Sequence, residues 1–346
     1  MIEPTPLLAA YRAVVCDLDG VVYRGSQAIP FAVSALAQAR GFVPVTFATN
    51  NASRHPDEVA AALCSIGLET RGTDVLTSAQ AGAARLARDF PAGTPVLAVG
   101  GPGVAAAVAE AGLTPVTGGT DAPAVLQGWG REVTVGDLAT ASIAVARGAR
   151  WVATNTDRTL PTAAGLVPGN GTLVAAVREA SGGRPEVVGK PSPDMLHEAA
   201  RRLGVALAGV LVIGDRLDTD IAAAVGAGID SLWVLTGVHG LADLAGSAFT
   251  PTYAAADLRA VHQSPPVVAR DAMTWTTSGL TARVNEGATG VEIDSWGRPD
   301  IPDPNALVAL GFRVLVDLRG DGCPAERLAV LGESFDASLH CAVAEQ

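Results

Sequence analysis

The hydrophobic pattern of this chain alternates between two periods. Short apolar runs closed by turn residues occur at 13–18 (AVVCDL), 44–49 (PVTFAT), 95–101, 122–130, 151–155, 185–189, 209–215 and 231–237, and they read as buried strands. Between them, 31–40, 55–67, 79–90, 104–112, 135–149, 171–183, 193–204 and 219–228 repeat their apolar positions at helical spacing. Pro56 suits the first turn of its helix. Strand followed by helix, many times over, predicts a Rossmann-like α/β core with a parallel sheet. QSPPVV (263–268) reads as a linker. Beyond it, LTARV, GVEID and FRVLVDL are strand-like pieces with little helical rhythm until the end, so 267–346 is expected to be a small α+β extension.

Composition narrows the partners. The 346 residues are 49% hydrophobic and 17% charged, enough for packed cores, and the length points to two or three domains. A net charge of −11 argues against nucleic acid or an anionic membrane surface, both of which want a basic face. It does not oppose a small anionic substrate. The opening MIEPTPLLAAYRAVVCDLDG has no basic n-region and no cleavage pattern, and no apolar run is long enough to span a bilayer. Cys16, Cys64, Cys323 and Cys341 show no metal-ligand spacing and read as reduced thiols, so a cytoplasmic protein is expected, compatible with a homo-oligomer. Lys190 is the only lysine among 24 basic residues. Arginine has replaced lysine wherever a solvated cation suffices, so Lys190 marks a place where a compact point charge is required.

Four stretches fall at the carboxyl ends of predicted strands: Asp17-Leu18-Asp19-Gly20, Thr49-Asn50-Asn51, Gly189-Lys190-Pro191, and Gly214-Asp215 through Asp220. Ligands of open parallel sheets bind at that edge. Asp17 and Asp19 ahead of Gly20 also begin a calcium loop, but Val21, Tyr23 and Ala28 occupy its later ligand positions. A rival motif lies at Gly101-Pro102-Gly103-Val104-Ala105-Ala106, with Asp121 beyond it. It matches the dinucleotide fingerprint and would make the chain an NAD(P)-dependent oxidoreductase. A third alternative is a non-enzymatic binding protein on the same fold, which would show a broken motif; none is broken.

Together, VVCDLDGVV, TFATNN, VVGKPSPDM and VLVIGDRLDTD resemble the haloacid dehalogenase superfamily of phosphatases, over about 11–262. TNN and GKPSPDM resemble its type IIA subgroup, which includes nitrophenylphosphatase-like, phosphoglycolate and glycerol 3-phosphate phosphatases. The resemblance implies a catalytic core from 1–78 and 186–262, with 79–185 as an inserted α/β cap. It implies a Mg²⁺-dependent phosphatase acting on a small phosphorylated metabolite, with glycerol 3-phosphate favoured and phosphoglycolate as the alternative. Asp17 would attack phosphorus, and Asp19 would serve as acid and then base. Asp17, the Asp19 carbonyl and Asp215 would bind the metal, and Asp220 would act directly or through water. Asp218 would face solvent. Thr49, Asn50 and Asn51 would hold the phosphoryl group, and Lys190 would pair with it and with the nucleophile. In the cap, Asn155 and Asp157 are candidates for the leaving group, although an Asx-type turn explains them equally well. Arg24 could meet an anionic substrate or simply lie on the surface.

A guanidinium at position 190 would crowd the metal or displace the phosphate. Lys190→Arg should therefore fold as wild type and lose most of its turnover. A catalytic rate near wild type, measured on the purified variant, would overturn this reading of the sole lysine.

Overall fold

The computed structural model describes residues 5–162, 165–277, 279–295 and 303–344. The first four residues, part of the stretch read for a leader, lie outside the described ones. The chain forms two compact units: Met1–Val45 with Val205–Gln346, and Thr46–Gly204.

In the first unit, parallel strands lie in the order Tyr253–Ala255, Ser231–Val234, Val210–Gly214, Ala13–Cys16. The last three are buried at every position, as a sheet covered on both faces requires. Cys16 pairs with Ile213, and the Asp17 N–H donates to the Ile213 carbonyl at 2.9 Å. Asp17 and Asp215 therefore leave neighbouring strands side by side, at the carboxyl edge. Trp233 is fully buried beneath them, and its indole N–H donates to the Asp215 carbonyl at 2.9 Å.

The C-terminal extension packs into this unit. Ala269–Asp271, Thr274–Thr277, Leu280–Val284 and Val291–Ser295 form an antiparallel sheet, followed by helices Pro304–Gly320 and Ala325–Ala344. Trp275, Leu310, Val314 and Phe335 share one core with Leu217, Trp233, Leu241 and Leu244. FRVLVDL, expected to be extended, lies within the first of these helices. A seven-residue window with five apolar positions cannot distinguish a strand from a helix segment. The wider window, with Leu307, Leu310, Val314, Leu315 and Leu318 all buried, has helical spacing. Its start is signalled by Asp303, whose side chain accepts from the Asn305 N–H, and by Pro304 in the first turn.

In the second unit, Phe47, Ala48 and Thr49 pair in parallel with Val75, Leu76 and Thr77. A separate parallel sheet runs Glu186–Val187, Arg150–Ala153, Ala124–Gln127, Pro95–Val99, Thr114–Val116. Helices Val135–Ala146 and Asn170–Ser181 pack on one of its faces through Ala141, Ala144, Val174 and Val177. Of the parallel strands, three lacked a sequence signal: Val75–Thr77, Thr114–Val116 and Tyr253–Ala255. Each has three residues and sits at a sheet edge, and Pro115 is tolerated only in such a place.

Helix Asp194–Leu203, which follows Lys190, is fixed by charge. Glu198 is 2% exposed and takes hydrogen bonds from Arg201, Arg202 and Arg88, the last from the end of helix Ser78–Ala87. Burial opposes its ionisation, but the hydrogen bonds and charges of Arg201 and Arg202 outweigh it and hold the carboxyl below its usual range. A depressed carboxyl contributes stability above its unfolded pKa, and that contribution is lost as pH falls through the folded value. Glu198→Ala removes the acceptor shared by three partly exposed guanidinium groups and should lower stability by about 1–2 kcal/mol near neutral pH. In thermal melts, the gap to wild type should narrow as pH drops below the ordinary Glu range.

Candidate active site

Three carboxylates meet at the sheet edge of the first unit. One oxygen from each of Asp17, Asp215 and Asp220 lies within 4.8 Å of the others. Asp215 and Asp220 are buried, and Asp17 is half-buried. Leu18 turns into the core, so Asp19 follows Asp17 on the outer side, where it is exposed.

Local structure brings the acids together. The chain after Asp215 makes a π-helical turn, Leu217–Ile221, with the Ile221 N–H donating to the Arg216 carbonyl at 3.1 Å. Such turns recur at functional sites because the extra residue re-aims a side chain. Here Asp220 lies against Gly214, where any Cβ would overlap the Asp220 side chain. The Arg216 N–H donates to Asp220 Oδ2 at 3.2 Å. Asp215 is enclosed in the same way: a Cβ at Gly20 or Gly237 would overlap its carboxylate, and the Val238 N–H donates to its Oδ2 at 2.9 Å. Asp218, one turn position away, faces out onto Arg216 at 2.8 Å. The hydrogen bond from Arg216 holds its carboxyl below the usual range. Asp218 is thus separated from the cluster, as the sequence suggested.

Three close carboxylates repel one another and need a compensating charge. The donors are all hard oxygens, set in a cradle kept open by glycine, which fits a small divalent cation of the Mg²⁺ type.

The other sequence-derived residues lie in the second unit, joined in one polar network. Thr49 and Lys190 are each 5% exposed. The Lys190 ammonium donates to the Ala48 carbonyl at 3.2 Å. Asn50 Nδ2 donates to the Lys190 carbonyl at 2.9 Å and reaches Asp157 Oδ2 at 3.4 Å. Gly189 has no room for a Cβ against the Thr154 carbonyl. Thr49 Oγ1 accepts from the Asn51 N–H, and Asn51 Oδ1 accepts from the Ser53 N–H and hydroxyl, which closes the turn. Asn155 is engaged on both sides of its amide: Nδ2 donates to the Asn50 carbonyl at 2.8 Å, and Oδ1 accepts from the Asp157 N–H. Its observed contacts are those of a latch on the Thr49–Asn51 turn. In the first unit, the Arg24 guanidinium donates to the Thr236 carbonyl at 2.6 Å.

Sequence reasoning passed over Ser78, whose hydroxyl also donates to the Asn50 carbonyl. A signal was present: Thr77 and Gln80 form a reciprocal capping box, which fixes the helix start beside that turn.

The dinucleotide motif is corrected by the structure. Gly103 N–H donates to the Ser53 carbonyl at 3.1 Å, and a Cβ at Gly103 would run into the Ala52 and Arg54 carbonyls. The helix N-terminus that a pyrophosphate would need is covered by this chain's own backbone. Asp121 pairs with Arg147.

Comparison with known proteins agrees with these features. A haloacid dehalogenase-like hydrolase profile matches residues 14–114, and a HAD-hydrolase-like profile matches 187–261. The chain is 48% identical over 262 residues to a D-glycerol 3-phosphate phosphatase of Mycobacterium tuberculosis, covering 75% of this chain and 73% of that protein. A crystal structure of a glycerol phosphate phosphatase from Mycobacterium tuberculosis in complex with magnesium superimposes with a TM-score of 0.76 at 38% identity, over 96% of this chain and 92% of the other. A p-nitrophenyl phosphatase from Archaeoglobus fulgidus matches 72% of this chain with 97% of its own, with a TM-score of 0.67 and 31% identity.

If Gly214 is there to admit Asp220, Gly214→Ala should push that carboxylate out of the cluster. A divalent cation bound by the folded state should raise the wild-type melting temperature. The variant should fold and show little or none of that rise.

Proposed function

Because the chain belongs to the haloacid dehalogenase-like hydrolase family, we propose that it is a Mg²⁺-dependent phosphatase that hydrolyses glycerol 3-phosphate to glycerol and phosphate. The observation that carries this reading is the Asp17–Asp215–Asp220 cluster, built beside an exposed Asp19. The substrate rests on the likeness to a protein named for that activity. No helix among the described residues is long and apolar enough to cross a membrane; a cytoplasmic location is proposed from the four cysteines, which read as reduced thiols.

In this proposal, 1–78 and 186–262 make the catalytic core, 79–185 is an inserted cap that selects the substrate, and 267–346 is the extension. Asp17 and Asp215, with the Asp19 carbonyl and Asp220, would hold the cation. When bound, Mg²⁺ supplies charge neutralisation for the carboxylates and the phosphoryl oxygens. A carboxylate oxygen of Asp17 attacks phosphorus, and the bond from phosphorus to the glycerol oxygen breaks. Asp19, protonated, gives its proton to that oxygen. Water then attacks the aspartyl phosphate, Asp19 takes the water's proton, and Asp17 is released with inorganic phosphate. The task of Lys190 and Thr49 is to neutralise and hydrogen-bond the phosphoryl oxygens. Asn50, Asn51, Asn155 and Asp157 shape that turn, and Asn155 acts through the Asn50 carbonyl.

Phosphate release should be measured on glycerol 3-phosphate, 2-phosphoglycolate and p-nitrophenyl phosphate, with Mg²⁺ and with EDTA. Wild type should favour glycerol 3-phosphate and lose activity in EDTA. Asp17→Asn should abolish release, and Asp19→Asn should lower kcat by about 10²–10⁴-fold. Release that survives both EDTA and Asp17→Asn would refute the assignment.

A further inference from the structure

The C-terminal extension is not needed to complete the phosphatase fold, since 72% of this chain already matches nearly all of the archaeal enzyme. Its last helix nevertheless reaches the neighbourhood of the carboxylate cluster. Asp336, in helix Ala325–Ala344, accepts two backbone hydrogen bonds through its two oxygens: from the Leu241 N–H at 2.9 Å and from the Ala242 N–H at 3.0 Å. These N–H groups open the short helix Leu241–Leu244. Four residues do not sustain a helix alone, and its first N–H groups have no partner within the helix. A carboxylate there satisfies two of them and suits the positive end of the helix. The fit is close. Gly332 has no room for a Cβ against Ala242, and a Cβ at Gly240 would lie 2.7 Å from Asp336 Oδ2.

The loop leading into that helix, residues 236–240, touches one carboxylate of the cluster and two of the backbone segments that frame it. The Thr236 hydroxyl donates to the Gly20 carbonyl at 2.7 Å. The Val238 N–H donates to Asp215 Oδ2 at 2.9 Å, beside Gly237, which packs on the same carboxylate. His239 Nδ1 accepts the Leu217 N–H at 3.0 Å, at the start of the π-helical turn that carries Asp220. The loop is anchored on one side by strand Ser231–Val234 and on the other by Asp336. We propose that Asp336 is a positioning residue for the metal site: it clamps the 236–240 loop, which in turn sets Asp215 and the Asp220 turn. The extension thereby supports metal affinity. This rests on the metal-binding reading of Asp17, Asp215 and Asp220.

The test uses the full-length protein and Mn²⁺ as the probe, with free ion followed by electron paramagnetic resonance. Groups that hydrogen-bond a metal ligand directly typically contribute 10–100-fold to metal affinity; Asp336 acts one step further back, through the loop, so Asp336→Ala should raise the Mn²⁺ Kd by about threefold to tenfold. Asp336→Asn keeps one acceptor oxygen and should fall between Asp336→Ala and wild type. It also stands in if the alanine variant does not fold. Asp317→Asn serves as a control inside the extension, because it weakens the hydrogen bond to the Trp275 indole. It should lower the melting temperature in EDTA and leave Kd unchanged. Folded Asp336 variants with wild-type Kd would overturn the proposal. So would an equal rise in Kd for Asp317→Asn, which would reduce the effect to general destabilisation. A wild-type protein that binds no Mn²⁺ would refute the metal reading itself, and this inference with it.

Discussion

The constraint on which the first unit depends is the repulsion among Asp17, Asp215 and Asp220. Two unit charges 4 Å apart cost about 4 kcal/mol in a medium typical of a protein surface. A backbone hydrogen bond to a charged acceptor returns about 1.5–3 kcal/mol net. The N–H donors of Arg216 and Val238 therefore aim the carboxylates without neutralising them. What holds the arrangement is geometry fixed elsewhere. Strand register sets Asp17 beside Asp215, the π-helical turn swings Asp220 across, and Gly20, Gly214 and Gly237 leave the space. The remaining imbalance is what a cation would remove.

The second unit solves a different problem with neutral groups. The Thr49–Asn51 turn and the Gly189–Lys190 segment are held by amides and carbonyls: Asn50 on Lys190, Asn155 on Asn50, and Ser78 on Asn50 again. Further out, Asn170 Nδ2 donates to the Asn155 carbonyl, extending the network towards the buried Gln127. Such a network fixes backbone direction mainly with neutral groups; the one carboxylate it includes, Asp157, is reached by Asn50 Nδ2 at 3.4 Å.

Much of this was legible in the sequence because strand ends, turn glycines and spaced acids are local signals. Asp17 could be named from VVCDLDGVV, and Asp215 and Asp220 from VLVIGDRLDTD with Asp218 set aside, through the family resemblance those motifs carry. Long periodic helices such as Val135–Ala146 could be placed to within a few residues. Features that depend on distant partners were not legible. Nothing near Gly103 states that Ser53 will lie over it, so the glycine motif looked like a nucleotide loop. Nothing near Asp336 points to Leu241, 95 positions away. Asn155 carried two readings, because an amide that latches a backbone and one that meets a ligand look the same in sequence. FRVLVDL failed for a local reason: the window was shorter than the helix repeat needed to judge it.

The solitary lysine has a consequence outside enzymology. Lys190 is 5% exposed, so every solvent-facing cationic side chain of this protein is a guanidinium or an imidazole. Guanidinium groups stay charged across the whole working pH range, so the guanidinium share of the surface charge does not titrate there. Amine-directed crosslinkers and labels, and enzymatic lysine acylation, find no side-chain target on that surface. Their single address within the side chains is the residue assigned to the phosphate, so chemical occupancy of that amine and loss of turnover should be the same event.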